Sequence, residues 1–146
     1  MHHWSIVEEA SETDLAVLSE GVIRYGRSLA VSGNARPIAC FVRVERAIVA
    51  GALGRTEFNR LFVGHLWVDE TLRSRGLGSN VLRKLEIAAV KRGCVDSLIE
   101  TLNDRTAELY ARLGYRHVAK IPHYVGSSTR HVLVKSIAGT SVESGA

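Results

Sequence analysis

Residues 72–80 read Leu-Arg-Ser-Arg-Gly-Leu-Gly-Ser-Asn. Gly76 and Gly78 sit between an apolar run and an amphipathic one, with Arg73 and Arg75 beside them. The first turn of a helix leaves backbone N–H groups unpaired, and its dipole places about half a positive charge there. Glycine lets an anion approach those amides with no side chain in the way. Arginine adds fixed charge and forked donors. Together these residues have the chemistry of a pyrophosphate cradle.

Three phosphate motifs compete for the stretch. A Walker loop requires Gly-Lys-Ser/Thr, but Gly78 is followed by Ser79 and Asn80. A dinucleotide fingerprint requires a third glycine where Val81 stands, close after a parallel strand. The pattern Arg/Gln-x-x-Gly-x-Gly/Ala is satisfied by residues 73–78. Other chemistries lack their spacing. Histidine and cysteine form no CxxC or HxxxH pattern, so no metal site is expected. No Gly-x-Ser-x-Gly nucleophile elbow is present.

The elements around the loop follow from hydrophobic period. Residues 4–9 (WSIVEE) read as a first strand. Leu15, Leu18, Val22, Tyr25 and Leu29 fall at helical spacing, with Ser11 and Asp14 as a capping pair. Gly21 and Gly26 are weak points where that helix is expected to bend or break. SGNARP, 32–37, reads as a loop. Three apolar runs follow at 38–45, 47–58 and 60–70; their short links imply an antiparallel meander. Residues 79–92 form the clearest helix, closed by Gly93. Val81, Leu82, Leu85, Ala88 and Ala89 make its apolar stripe, and Arg83, Lys84, Glu86 and Lys91 are expected to face away. Lys91 and Arg92 complement the carboxyl end of its dipole. A strand at 94–102 follows across a helix, which implies a parallel crossover. Residues 104–114 form a second helix, and 115–121 and 129–137 the last strands, joined by PHYVGSS. The result is an α+β domain with a mixed, mostly antiparallel sheet of six to seven strands, its centre a β-loop-α-β unit. It is expected to span 1–137 as one domain, with 138–146 a disordered tail.

The run LWVDETLRSRGLGSNVLRKLEIAAVKRG, 66–93, followed by LNDRTAELYARLGY, 102–115, resembles the Gcn5-related N-acetyltransferase (GNAT) superfamily. The resemblance covers about residues 37–121. It implies the GNAT fold, in which the strand ending at Trp67 and Val68 splays from the next one at a bulge. It also implies acetyl-CoA as cosubstrate. The backbone of Trp67 and Val68 would pair with the pantetheine arm. Arg73, Arg75, Gly76, Leu77, Gly78 and Ser79 would hold the pyrophosphate. Asn103 matches an asparagine that holds the cofactor, and Tyr110 a tyrosine placed near the thioester sulfur.

The reaction so implied has definite needs. A backbone N–H, that of Val68, can stabilise the oxyanion. Tyr110 can protonate the leaving thiolate as general acid, since a phenol with a pKa of about 10 is neutral at pH 7. The attacking amine must lose a proton. Many relatives carry a glutamate on this strand; here FVGHLWV offers His65, with Glu100 on the following strand as a second candidate. His123, Tyr124 and Ser127, in the link between the last strands, would border the acceptor pocket.

The chain has 146 residues and net charge +4, spread along its length. That disfavours a nucleic-acid partner, for which basic residues would gather on one face among aromatics. Two cysteines make no disulfide framework, and the N-terminus has no apolar core of a signal peptide. A cytoplasmic enzyme with no membrane partner and no metal is expected, possible as a homodimer. The second function class is a non-catalytic coenzyme A-binding module of the same fold.

Overall fold

The computed structural model describes residues 1–29 and 35–140. By its contacts the chain divides into two compact units, Met1–Gly33 and Asn34–Ala146. Of the tail expected at 138–146, residues 141–146 lie outside the described residues, as do 32–34 of the loop expected at 32–37; residues 36–37 already belong to the first strand.

In the first unit, α1 runs from Glu12 to Leu29. Its start is built as the sequence implies: Ser11 Oγ accepts from the Asp14 N–H at 3.1 Å, and Glu12 and Asp14 sit at the positive end of the dipole. The helix runs unbroken through Gly21 and Gly26. Residues 4–9 form no strand, contrary to the expectation from their pattern. Apolar residues in a chain segment are only permissive; a strand needs a ladder for its amides, and a short isolated run has none.

The second unit is a six-stranded sheet in the order β1-β2-β3-β4-β6-β5. Its strands are β1 Arg36–Val44, β2 Ala47–Glu57, β3 Arg60–Val68, β4 Asp96–Thr101, β5 Arg116–Val125 and β6 Ser128–Ser136. β1, β2 and β3 form the antiparallel meander. β3 and β4 are parallel, joined by α2, Leu77–Lys91. α3, Asp104–Arg112, follows β4.

Both α2 and α3 cover one face of the sheet. Val81, Leu82, Leu85 and Ala89 of α2 and Ala107 and Tyr110 of α3 join Ile38, Ala50, Ala52, Leu61, Val63, Ile99 and Leu133 in one core. Glu86 belongs to the same face, at 1% exposure, and does not point to solvent as expected. Its position explains this. Four residues after Leu82 and three before Ala89, it lies on the apolar stripe itself. Burial is made tolerable by partners: Tyr115 donates its hydroxyl proton to Oε2 at 2.8 Å, and Lys135 Nζ donates to Oε1 at 2.8 Å. Ser97 Oγ lies 2.8 Å from the same phenol oxygen.

The link between the last two strands is shorter than the sequence suggested. β5 extends through Val125, so only Gly126 and Ser127 turn the hairpin. Pro122 is accommodated because β5 is an edge strand, and the pairing is irregular between Ile121 and Val125, where His123 has φ 54°.

Candidate functional site

The centre of the sheet is a gap between β3 and β4. The two strands pair only from Arg60–Val63 against Asp96–Ile99. The paired end is locked: Arg60 makes a two-point bridge to Asp96, Nε to Oδ1 at 2.7 Å and Nη2 to Oδ2 at 2.8 Å. Beyond it the register of β3 against β2 shifts between Leu53–His65 and Gly54–Val63, leaving Gly64 as the extra residue of a bulge. From Gly64 to Val68, β3 has no partner on its β4 side.

The ladder with β2 fixes which groups face that gap. Asp69 donates its N–H to Val49 O at 2.8 Å, toward β2. Alternation along an antiparallel strand turns Val68 and Leu66 to the other edge, into the gap, and Trp67 back to β2. Val68 thus presents its own N–H and C=O to the gap, whereas the backbone of Trp67, expected there too, serves the ladder. The Trp67 side chain is exposed.

The bulge also sorts side chains. Leu61, Val63, Leu66 and Val68 turn to the helix-covered core. Phe62, His65 and Trp67 alternate to the face that α2 and α3 leave open. His65 is exposed there and makes no side-chain hydrogen bond among the described residues. Glu100, just past the last β3–β4 pair, follows the outward-facing Leu98 on that same face. It is ion-paired with Arg130 Nη2, whose guanidinium stacks 4.8 Å from the Tyr124 ring centroid. That hydrogen bond to Glu100 raises the Arg130 pKa further. Tyr124 and His123 therefore stand on β5, and Ser127 in the turn after it.

The loop after β3 leads into α2 by a fixed path. Asp69 Oδ1 accepts from the Thr71 N–H at 2.9 Å and from its hydroxyl at 2.6 Å. Those bonds, led by the Thr71 hydroxyl, hold the Asp69 carboxyl below the usual range. Arg73 turns back, its Nε donating to Val68 O at 3.0 Å. Arg75 is exposed and makes no hydrogen bond or ion pair among the described residues. Gly76, at φ 79°, is the N-cap of α2 and offers no side-chain cap. A β-carbon on Gly78 would sit 3.3 Å from Val68 Cγ2, so a glycine lets the helix start lie on the strand end.

The start of α2 differs from the other two helices. α1 is capped by Ser11, and α3 by Asn103, whose Oδ1 accepts from the Thr106 N–H at 3.0 Å. Both carry acids in the first turn. α2 has no side-chain cap and no acid there. The amides of Leu77, Gly78 and Ser79 are left as donors with Arg75 beside them.

Tyr110 lies on α3, 5% exposed, with its ring centroid 6.1 Å from that of Tyr115. Burial raises its pKa, so the phenol holds its proton. Its hydroxyl has no partner among the described residues, yet no buried side-chain polar atom there is unpaired, so it keeps contact with solvent. Asn103, expected at the cofactor, spends Oδ1 on the cap and keeps Nδ2 for a ligand.

Sequence reasoning missed Arg130 and Glu86. The signal for Glu86 was its place on the stripe; Arg130 carried none, since its role depends on the β4–β6 pairing of Glu100 with Val132. No group of histidine, cysteine and carboxylate side chains among the described residues is arranged to hold a metal ion. No helix there is long and apolar enough to cross a membrane. Cys40 and Cys94 are free.

A family model described as the acetyltransferase (GNAT) family matches residues 5–115. A blasticidin-S acetyltransferase of Streptomyces morookaense is 39% identical over 109 residues, 71% of this chain and 80% of that protein. The crystal structure of an acetyltransferase from Bacillus cereus ATCC 14579 superposes with a TM-score of 0.83 at 26% identity, covering 90% of this chain and 97% of that one. An aminoglycoside 6'-N-acetyltransferase complexed with coenzyme A shares the fold, with a TM-score of 0.62 at 17% identity over 69% of this chain and 73% of its own.

Proposed function

This chain belongs to the acetyltransferase (GNAT) family, and we propose that it moves the acetyl group of acetyl-CoA directly to an amine acceptor in a ternary complex. The observation that carries the donor half is the bare start of α2, uncapped, free of acids and flanked by Arg75. Its amides at Leu77, Gly78 and Ser79 suit a pyrophosphate. The open edge of β3 suits the pantetheine arm, which would lie along it as an added strand through Leu66 and Val68. Asn103 Nδ2 is a further donor to the cofactor.

The chemistry follows from what flanks the gap. α2 and α3 cover one face, so an amine reaches the thioester from the other, where His65 lies beside Trp67. The amine nitrogen bonds to the acetyl carbon and its proton passes to His65. The Val68 N–H holds the oxyanion. As the carbon–sulfur bond breaks, Tyr110 gives its proton to the thiolate. Glu100 is the poorer base because Arg130 holds one of its carboxylate oxygens. Tyr124 and His123 on β5 border the acceptor side. The likeness to blasticidin-S acetyltransferase makes blasticidin-S the first acceptor to try.

Thiol release from acetyl-CoA, screened over blasticidin-S, small amines, polyamines, aminoglycosides and peptides, tests the reading. Acetylation of at least one amine is expected. Coenzyme A binding with no turnover on any of them would instead make the protein a binding module.

A further inference from the structure

We infer that Arg73 is a positioning residue for the transfer step, acting through the Val68 carbonyl and not as a phosphate ligand. The inference rests on the acetyl-CoA reading above. Its basis is the direction of the side chain: Nε donates to Val68 O at 3.0 Å, back onto the strand that precedes the loop. The same peptide unit is held from its other side, where the Asp69 N–H donates to Val49 O at 2.8 Å. Both polar atoms of the Val68–Asp69 peptide are therefore fixed, one to β2 and one to Arg73.

Two consequences bear on the gap. Fixing that peptide plane fixes the end of β3, and with it the direction of the Val68 N–H, which shares an edge with the Val68 carbonyl. An N–H aimed in advance at a developing oxyanion costs no reorganisation when the charge appears. A bare carbonyl on that edge would also oppose the negative charge; a guanidinium on it reverses the sign. The clamp extends into the helix, since Gly78 lies against the Val68 side chain. The turn between is closed independently by Asp69 and Thr71, so Arg73 is not needed to shape the phosphate loop. Arg75 is left as the arginine for the anion.

Acetylpantetheine, which has the thioester but no pyrophosphate, separates the two roles. Arg73→Ala is expected to lower kcat about tenfold with acetyl-CoA and with acetylpantetheine alike. Its coenzyme A Kd by calorimetry should stay within about twofold of the wild type, a kcat-only loss that general loosening would not produce. Arg73→Lys, which keeps one donor, should recover most of the rate. Arg75→Ala should instead raise the coenzyme A Kd, which Arg73→Ala leaves in place. A loss in Arg73→Ala confined to acetyl-CoA, or one matched by the fall in coenzyme A affinity, overturns the inference while leaving the acetyltransferase reading standing. A wild type that transfers acetyl from neither donor to any amine overturns both. If Arg73→Ala does not fold, Arg73→Met, which keeps an apolar stem and removes the donor, carries the same comparison.

Discussion

At the scale of single residues, groups that resemble one another on paper differ in their partners. His65 and Glu100 are both titratable and both flank the gap. The sequence offered them as alternatives because it showed neither one's partners. His65 is exposed and unengaged among the described residues, and Glu100 is paired with Arg130 beside Tyr124. His65→Ala should therefore lower kcat by about 10²- to 10⁴-fold and remove the acidic limb of the pH–rate profile. Glu100→Gln should keep that limb, and a profile that loses it would move the base to Glu100. Tyr110 is the complementary case. Burial raises its pKa above the ordinary phenol value of 10.0, so it stays an acid across the working range. Tyr110→Phe should cut kcat about a hundredfold or more while coenzyme A affinity barely moves; unchanged turnover would remove the acid.

At the scale of elements, the central unit was the legible part. Two glycines, two arginines and the spacing to Asn103 and Tyr110 are local facts, and the strand–loop–helix they encode is present. Less legible were features decided by a neighbour. Residues 4–9 read as a strand, yet form none for want of a ladder. His123 and Tyr124 read as a loop because Pro122 and Gly126 flank them, but an edge strand tolerates the proline and the turn needs only two residues. Gly76 gives this scale its own test. Its φ of 79° is one that side chains resist, and the space beside it is empty. Gly76→Ala should thus cost about 1–2 kcal/mol in urea unfolding, from backbone strain alone. Because the added methyl group stands in the open space before the α2 amides, coenzyme A affinity should fall as well.

Across the whole molecule, the buried cluster of Glu86, Lys135, Tyr115 and Ser97 ties α2 to β6, β4 and the segment after α3. Tyr115→Phe leaves a buried carboxylate with one partner fewer, and should destabilise the fold by about 1–3 kcal/mol. The pH dependence has a definite sign. Burial raises the Tyr115, Tyr110 and Cys94 pKa values above their ordinary ones, with the Glu86 charge adding to the shift at Tyr115. Once the pH passes the unfolded values, of about 8.5 for a thiol and about 10 for a phenol, the folded state binds more protons than the unfolded one. Stability then falls as pH rises further. Urea midpoints should decline from about pH 9 upward, and more shallowly in Tyr115→Phe.

Service of the bare α2 start and the β3–β4 gap in acetyl transfer is measured most directly by a mass balance: the protein with acetyl-CoA and blasticidin-S, or the best amine of the screen, following free thiol and acceptor mass together. One acetyl group gained by the acceptor for each thiol released is the predicted result. Coenzyme A that binds while neither thiol nor acetylated amine appears would contradict it.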